Sequence, residues 1–506
     1  MTSSSAASRP LASVLPPASF GPGSAYPTTT VTALIEAQIA RHPSAVAVRD
    51  PHAELTYAEL DREASALAAR LRDVGVGRGD VVGIFLQRSV SMVVGILAVL
   101  KTGAAYCPQD ARISPVAQLR HIAAKAKMPV VLTTAAHRAA MPEGPVVFAI
   151  DEAADALSLA PAALGTPEDP CAVIFTSGTT GTPNGVVVTH ANLVNLLSQH
   201  PGNLGITPGT TVGQILNIAF DMAAWEILGT LSNGGTLVIR GSDIAATAET
   251  VDVVIATPSI VAGLSSERAR ARTVAVAGER CPQPLADEWA VGRRFLNSCG
   301  PTEITIINTL VEHAPGRDMS IGTPIPGTSV YVLDEQRHPV PGGEVGEMWV
   351  GGVGVTAGYL GDQELTDARY LPDPFHPDGG RMFRTRDLGR WTSDGVLDHL
   401  GRTDDQIKVR GFRVELDSVA RALERASGCE KAVVVQLDSR TLGAVITPST
   451  ADPDAARAAA SAVLPYYSVP AVIRTLDALP LSPRGKVDRA LLTQTLTESV
   501  SLEKAA

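Results

Sequence analysis

Residues 175–188 read FTSGTTGTPNGVVV and follow a short apolar run. The stretch is rich in hydroxyl groups and glycines, namely Thr176, Ser177, Gly178, Thr179, Thr180 and Gly181. Backbone N–H groups and hydroxyls in such a loop can surround phosphate oxygens, and glycine permits the backbone angles that this requires. A surface hairpin turn is the alternative. No Gly-Lys-Ser/Thr follows at the Walker A spacing, so the stretch predicts a phosphate-binding loop of another kind.

Composition limits the class of protein around this loop. A chain of 506 residues is too long for one simple core and predicts two or three subdomains. Its 45% hydrophobic and 19% charged residues are typical of a soluble globular enzyme. The net charge of −10 disfavours general binding to nucleic acid or to an anionic membrane, so neither partner is expected. Any phosphate site must therefore be made locally.

The cysteines and the chain ends indicate a cytoplasmic protein. The five cysteines show no C-x-x-C spacing and favour reduced thiols. Residues 1–27 are rich in Ser, Ala and Pro without an apolar core, so they predict a disordered tail rather than a signal peptide. Residues 496–506 are assigned to a second tail. The longest apolar helical pattern, residues 90–100, is too short to cross a bilayer.

The order of apolar runs predicts an α/β fold. Through residues 28–402, short β-rich runs such as 81–86 alternate with helical patterns such as 92–100. This alternation favours βαβ units with buried, largely parallel sheets in a large N-terminal domain. Residues 403–495 mix helices and strands and predict a small α+β domain. Functional side chains are expected in loops at the strand ends.

Further motifs accompany the loop in order, and together they resemble the adenylate-forming superfamily. That group contains acyl-CoA synthetases, luciferases and the adenylation domains of nonribosomal peptide synthetases. The matching stretches are residues 55–60, 100–110, 175–188, 220–226, 297–303, 346–360, 383–388, 401–416, 464–470 and 481–489. Each motif alone has a plainer interpretation as a turn, a helix cap or a solvated charged face. Ten in sequence order are identified as those of the amino acid adenylation type used in antibiotic biosynthesis.

The resemblance implies ATP and Mg²⁺ as cofactors and gives roles to matching residues. Asp387 would accept hydrogen bonds from both ribose hydroxyls, and Thr302 would meet a phosphate. Glu303 would ligate Mg²⁺, and Lys486 would stabilise the anions that crowd together during adenylation. The small domain would be a mobile lid with its hinge at Asp404. The residues expected to contact ATP or AMP are Thr176, Ser177, Gly178, Thr179, Thr180, Gly181, Cys299, Gly300, Asp387 and Arg402.

The expected substrate is an amino acid. An ammonium taken from water into a pocket needs a carboxylate partner, and the resemblance gives that role to Asp221; a helix cap is the alternative. An apolar, fairly large side chain fits the remaining residues, and the pattern resembles phenylalanine-type pockets. Ser298 would bond either a substrate hydroxyl or the backbone. The pocket residues carried over by position are Asp221, Met222, Trp225, Ala256, Ala275, Ala277, Ser298, Ile306 and Ile307.

Three departures from the family pattern leave alternatives open. Asn184 stands where the family usually has Lys, Cys299 replaces an aromatic residue that would stack on adenine, and Arg386 replaces a Gly. The leading hypothesis is a free-standing adenylating enzyme whose thiol acceptor is a separate carrier protein. A small activator protein, which some family members require, is a further expected class of partner. An acid–CoA ligase, which Asp221 disfavours, and a non-catalytic binding protein are the alternatives.

Overall fold

The computed structural model describes residues 15–23, 25–152, 165–178, 182–376, 379–480 and 487–505. In chain order, its helices are α1 (Val31–Arg41), α2 (Tyr57–Asp73), α3 (Val90–Thr102), α4 (Val116–Lys125), α5 (His190–Ser198), α6 (Asp221–Ser232), α7 (Ile244–Ala248), α8 (Pro258–Val261), α9 (Gln283–Trp289), α10 (Gln363–Arg369), α11 (Leu416–Leu423), α12 (Pro453–Ser461) and α13 (Arg489–Ala505). Its strands are β1 (Val46–Arg49), β2 (Glu54–Thr56), β3 (Val81–Phe85), β4 (Ala105–Gln109), β5 (Val130–Thr133), β6 (Val146–Ala149), β7 (Pro170–Thr176), β8 (Asn184–Thr189), β9 (Thr211–Gln214), β10 (Thr236–Ile239), β11 (Val253–Ala256), β12 (Thr273–Val276), β13 (Arg294–Cys299), β14 (Thr309–His313), β15 (Thr323–Pro324), β16 (Thr328–Leu333), β17 (Gly346–Gly352), β18 (Gly358–Tyr359), β19 (Tyr370–Pro372), β20 (Arg381–Trp391), β21 (Leu397–Arg402), β22 (Gln406–Val409), β23 (Phe412–Glu415), β24 (Lys431–Asp438), β25 (Thr441–Thr447) and β26 (Val472–Thr475).

Two large sheets form the centre of the N-terminal part. Their strand orders are β18-β8-β7-β4-β3-β5-β6 and β15-β14-β13-β12-β11-β9-β10-β1-β2. Strands β3 to β6 pair in parallel, as do β9 to β13, whereas β7 and β8 form an antiparallel pair. The predicted βαβ organisation with largely parallel sheets is therefore confirmed.

Helix α3 packs in the apolar core that both sheets share. One buried cluster contains its side chains together with those of β3 and of β9 to β11. The Ser89 hydroxyl accepts a hydrogen bond from the N–H of Met92 at its start, and Gly103 ends it with a φ of 84°. Because such elements are covered on both sides, they appear in the sequence as unbroken apolar runs.

Two smaller units complete the chain. Strands β16, β17, β19, β20 and β21 form an antiparallel sheet, and β20 carries Asp387. Beyond β21, the hairpin β22–β23 and the sheet β24-β25-β26 pack with α11, α12 and α13 around two apolar clusters of their own. The mixed helices and strands of this unit agree with the small α+β domain predicted from the sequence.

The tails differ from the sequence prediction. Residues 15–23, placed in a disordered tail, pack on the third sheet: Leu15 is buried beside Trp349, and Phe20 forms a bridge with Ser329. Two apolar anchors in a Ser/Ala/Pro-rich segment are enough for this contact. At the other end, α13 continues past residue 495, and Leu496 is buried against Val433. Residues 1–14 lie outside the described residues.

Among the described residues, no helix combines the length and apolar character that crossing a membrane would take.

Candidate functional site

The polar residues predicted for the site meet where the loops of the N-terminal part face the hairpin β22–β23. The site is defined here by Ser177, Asp221, Glu303, Asp387 and Arg413. Ser177 follows β7, Asp221 opens α6, Glu303 follows β13 and Asp387 lies on β20. Arg413, on β23, contacts two of these groups directly. Five distant segments of the sequence are thus brought together.

The glycine-rich loop joins β7 to β8 as a hairpin. Thr176 is paired with Asn184, and a Cβ on Gly178 would lie 2.1 Å from the Thr182 carbonyl oxygen, so only glycine fits there. The Ser177 hydroxyl donates to the Arg413 carbonyl oxygen over 3.0 Å. Thr179, Thr180 and Gly181, also predicted to bind ATP, lie outside the described residues. The described parts of the loop, residues 176–178 and 182–184, lie close together, and we call them the neck of the loop.

Asp221 lies at the first position of α6, where the helix dipole favours an anion. Its Oδ1 accepts the N–H of Met222 over 2.7 Å. Burial raises the pKa of Asp221, while Thr302 and Lys408 act in the opposite direction. A largely buried carboxylate with few fixed partners suits a cationic ligand.

Glu303 is fully buried in a short 3-10 turn after β13. Its carboxylate accepts hydrogen bonds from Tyr359 Oη over 2.8 Å and from Arg413 Nη1, which is 2.9 and 3.0 Å from the two oxygens. Burial acts to raise the pKa of Glu303, but the charges of Arg413 and Arg369 outweigh it and hold the pKa at about 2. Glu303 is therefore ionised, as a Mg²⁺ ligand must be.

Asp387 and Asp404 share one arginine. Arg402 lies opposite Asp387 on the paired strand, and its Nη1 is 2.5 Å from Asp387 Oδ1. Its Nε donates to Asp404 Oδ1 over 2.7 Å, and Arg386 Nη1 lies 3.5 Å from Asp404 Oδ2. Burial acts to raise the pKa of Asp387, but His399 and Arg402 outweigh it and lower the pKa. The predicted ribose and hinge residues are thus neighbours and ionised.

Most predicted pocket residues are buried in the large apolar core that also contains α3, namely Met222, Trp225, Ala275, Ala277, Ile306 and Ile307. Thr305 and Ile306 both have positive φ angles, an unfavourable backbone that fixes this corner. The Trp225 indole N–H donates to the Gly202 carbonyl over 2.7 Å. The Ser298 hydroxyl donates to the Val276 carbonyl over 3.1 Å, which answers the open question about its partner in favour of the backbone.

Ala256 is the exception among the predicted pocket residues. It belongs to a separate cluster with Val254, Val274 and Val276, whereas Ile255 and Ala275 belong to the cluster that contains Trp225. Successive side chains of a strand point to opposite faces, so a shift of one position changes the face. The assignment of Ala256 to the pocket stays a prediction.

The lid hairpin contributes side chains that the sequence prediction did not assign to the site. The Phe412 ring lies 4.3 Å from the Phe220 ring and stacks on Tyr467 at 3.5 Å between centroids. Burial and Arg413 lower the pKa of Lys408, while the charges of Asp221 and Asp387 oppose that shift. The alternation of apolar and charged residues in 406–415 could have indicated these strands. A dense run of charged residues usually forms a solvated face, and for that reason these side chains were not predicted for the site.

The three departures from the family pattern have definite surroundings. Asn184 Oδ1 accepts a hydrogen bond from Lys125 Nζ over 3.2 Å. Cys299 lies near Asp387, and burial raises its pKa to about 12, so the thiol is neutral. Arg386 adopts a φ of 64° beside Asp404. Gly300, next to Cys299, is required because a Cβ would lie 2.5 Å from the Cα of Ile307.

Two further expectations concern the catalytic groups. Lys486 lies outside the described residues. In the described part of the chain, no group of three or more His, Cys, Asp or Glu side chains could hold a metal ion. Mg²⁺ commonly uses one or two carboxylates together with substrate phosphates and water, so the role expected for Glu303 does not require a group of several carboxylates.

Comparison with known proteins agrees with this site. The family model described as "AMP-binding enzyme" matches residues 35–360. Novobiocin biosynthesis protein H of Streptomyces niveus is 35% identical over 493 residues, which cover 92% of this chain and 82% of that protein. The fold and site define an adenylate-forming enzyme. The chain belongs to the AMP-binding enzyme family.

Other relatives are longer proteins. Adenylate-forming reductase 03009 of Coprinopsis cinerea is 45% identical over 468 residues, which cover 90% of this chain and 46% of the reductase. The chain thus spans about half the length of that relative.

Solved structures show the same fold. A nonribosomal peptide synthetase protein with adenylation and PCP domains, bound to a vinylsulfonamide inhibitor, has a TM-score of 0.84 at 25% identity, covering 92% of this chain and 84% of its own. A four-domain synthetase bound to AMP and glycine has a TM-score of 0.68 at 30% identity, with coverages of 94% and 37%. The α/β class with a small additional domain, expected from the sequence, is confirmed.

Proposed function

We propose that the chain activates an amino acid with MgATP and transfers the aminoacyl group to the phosphopantetheine thiol of a separate carrier protein in nonribosomal peptide biosynthesis. The observation that carries the proposal is the carboxylate of Asp221 at the start of α6, largely buried and next to Thr302. If the substrate were a carboxylic acid without an ammonium group, it would bring no positive charge to compensate for burying a carboxylate at this position. The four-domain synthetase of similar fold is bound to AMP and to the amino acid glycine, and an amino acid substrate for this chain agrees with that.

In the first step, a substrate carboxylate oxygen attacks the α-phosphate of ATP, and the bond to pyrophosphate breaks. Asp221 holds the ammonium and thereby orients the carboxylate. Asp387 accepts the ribose hydroxyls, and Thr302 donates to phosphate. Mg²⁺, which Glu303 would hold, supplies positive charge to the phosphates. Lys486 is proposed to stabilise the developing negative charge.

In the second step, the carrier thiolate attacks the carbonyl carbon of the aminoacyl-AMP, a thioester forms and AMP leaves. The lid hairpin lies against the site in the described conformation, with Phe412 on Phe220 and Arg413 on Glu303. We assign this arrangement to the stage after pyrophosphate release, because Arg413 satisfies the Glu303 carboxylate that Mg²⁺ would otherwise use. A hinge at Asp404 would exchange this hairpin for the segment that carries Lys486.

The pocket supports an apolar and fairly large substrate side chain. Ala275 and Ala277 leave space, while Met222, Ile306 and Ile307 are apolar and buried. Because the Ser298 hydroxyl is engaged with the backbone, it is a weak candidate for a substrate hydroxyl. Phenylalanine and large aliphatic amino acids are the first substrates to test.

The test is pyrophosphate exchange with a pair of acids that differ only in the ammonium, such as phenylalanine and 3-phenylpropionate. The wild type should use the amino acid far better. Asp221→Asn should lower kcat/KM for the amino acid by about 10- to 100-fold, because a charged hydrogen-bond partner is lost, and should leave the des-amino acid unchanged. Asp243→Asn, at the exposed start of α7, is the control. Equal loss for both acids would contradict the ammonium role.

A second candidate follows from one comparison. Two adenylate-forming reductases of Coprinopsis cinerea are each 45% identical to this chain. On this alternative, the chain activates a carboxylic acid whose thioester is reduced by a nicotinamide-dependent unit. Incubation of the loaded carrier protein with the native full-length protein and NADPH would release an aldehyde only in this case.

A further inference from the structure

Lys125 reaches the glycine-rich loop from outside it. It is the last residue of α4, and its Nζ lies 3.2 Å from Asn184 Oδ1 and 3.5 Å from the Pro183 carbonyl oxygen. A lysine in the last turn of a helix also interacts favourably with the helix dipole. That effect explains a cation at this position, but it does not explain why the ammonium is directed at the loop.

Asn184 connects Lys125 to the neck of the loop. It pairs with Thr176 across the hairpin, and a Cβ on Gly178 would lie 3.0 Å from Asn184 Nδ2. The oxygen of the Asn184 amide therefore meets the ammonium, while its nitrogen lies against the opposite limb of the loop. Through Asn184, Lys125 is in contact with both limbs.

The loop needs a cation that its own sequence lacks. Residues 175–188 contain no Lys or Arg, although a triphosphate carries several negative charges. Arg413 touches Ser177 through its carbonyl oxygen, but its guanidinium is bonded to Glu303. His121 lies one turn before Lys125, and burial and the Lys125 charge lower its pKa, so its ring is neutral at pH 7. Among the described residues, Lys125 is the cation directed at the neck.

We propose that Lys125 is a positioning residue for the phosphates of ATP, supplying from α4 the positive charge of the glycine-rich loop and holding its neck through Asn184. The inference rests on the proposed use of ATP. Charge in a partly buried contact is screened less by salt than charge on the open surface, so one ammonium at the neck can favour binding of a polyanion.

The test separates the effect of the Lys125 charge from that of its hydrogen bond to Asn184. The measurement is the affinity for MgATP, determined by calorimetry in the absence of amino acid. Lys125→Gln keeps an N–H donor for Asn184 but removes the charge. It should weaken MgATP binding roughly 3- to 10-fold and reduce the salt dependence, with an unchanged Tm. Lys125→Gln combined with Asn184→Lys should bring the affinity back to within about twofold of the wild type.

Arg120→Gln is the matched control, because it removes one positive charge from an exposed position on the same helix. It should bind MgATP like the wild type. If Lys125→Gln also binds like the wild type, Lys125 is only a structural tie and the inference is wrong. If the folded wild-type protein binds no MgATP, the proposed function fails first, and that result appears before any variant is compared.

Discussion

Two carboxylates in the same site have opposite surroundings. Glu303 is fully buried, and Tyr359 and Arg413 satisfy it within the protein. Asp221 lies at a helix start, where the Met222 N–H and the Thr302 side chain are its hydrogen-bond partners, and burial raises its pKa against the opposing effects of Thr302 and Lys408. A carboxylate with a hydrogen-bonded counter-ion is stabilised within the protein in the described conformation, whereas one without a hydrogen-bonded cation gains more from a cationic ligand. The contrast separates a carboxylate that is already paired in this conformation from one that is left to pair with a ligand.

The largest expected effect is that of Glu303→Gln on stability. Removing one partner of a buried ion pair leaves Arg413 with only the more distant Glu415, 3.6 Å from its Nε, so we expect the free energy of unfolding to fall by about 3 kcal/mol at pH 7. Urea unfolding of both proteins measures this difference. A loss below about 1 kcal/mol would show that Glu303 is not paired in solution, and would remove the contrast with Asp221.

The stability difference between the wild type and Glu303→Gln should depend on pH. The folded pKa of Glu303 is about 2, below the ordinary value of about 4.3 for an unfolded chain. The stabilisation that ionised Glu303 contributes to the folded protein is complete above the ordinary pKa and is lost as the pH falls toward 2. The difference between wild type and Glu303→Gln should therefore shrink between about pH 4.5 and pH 2.

Tyr359→Phe should have an intermediate effect. It removes the phenol that donates to Glu303 over 2.8 Å while the ring can stay in place, so we expect a loss of about 1 to 2 kcal/mol in the free energy of unfolding. Tyr331→Phe is the matched control, because that phenol donates to Asp373 over 2.9 Å in a different apolar cluster. Only Tyr359→Phe should change the stability difference that Glu303→Gln produces. Independent effects of the two substitutions would argue against one shared network.

The sequence predicted the strands and the position of the glycine-rich loop because both depend on local residues, whereas the role of Asp221 came from the resemblance and stays a prediction. Buried parallel strands leave apolar runs, and the glycines and hydroxyls of the loop are adjacent in the sequence. The contacts that complete the site are not local. Arg413 reaches Glu303 across 110 positions in the chain, and Lys125 reaches Asn184 across 59. Composition and periodicity carry no information about such pairs.

Some assignments depend on a difference of a single residue. Ala256 and Ile255 are adjacent small or apolar residues in one strand, and the face that each occupies depends only on register. The N-terminal segment was misjudged because its Ser/Ala/Pro composition outweighed the two anchors Leu15 and Phe20. Both points depend on tertiary packing, which composition and local pattern do not give.

The smallest stability effect is expected for Asp221→Asn, and its sign should be opposite to that of Glu303→Gln. Burial raises the folded pKa of Asp221, so ionising this group costs more free energy in the folded than in the unfolded protein. This penalty is absent below the ordinary pKa of about 3.9 and appears as the pH rises. The helix dipole offsets part of it, so the gain at pH 7 should be on the order of 0.5 kcal/mol. Asp243→Asn, at an exposed helix start, should give no such gain. Destabilisation by Asp221→Asn would mean that Asp221 is held by the fold, like Glu303, and is not reserved for a substrate ammonium.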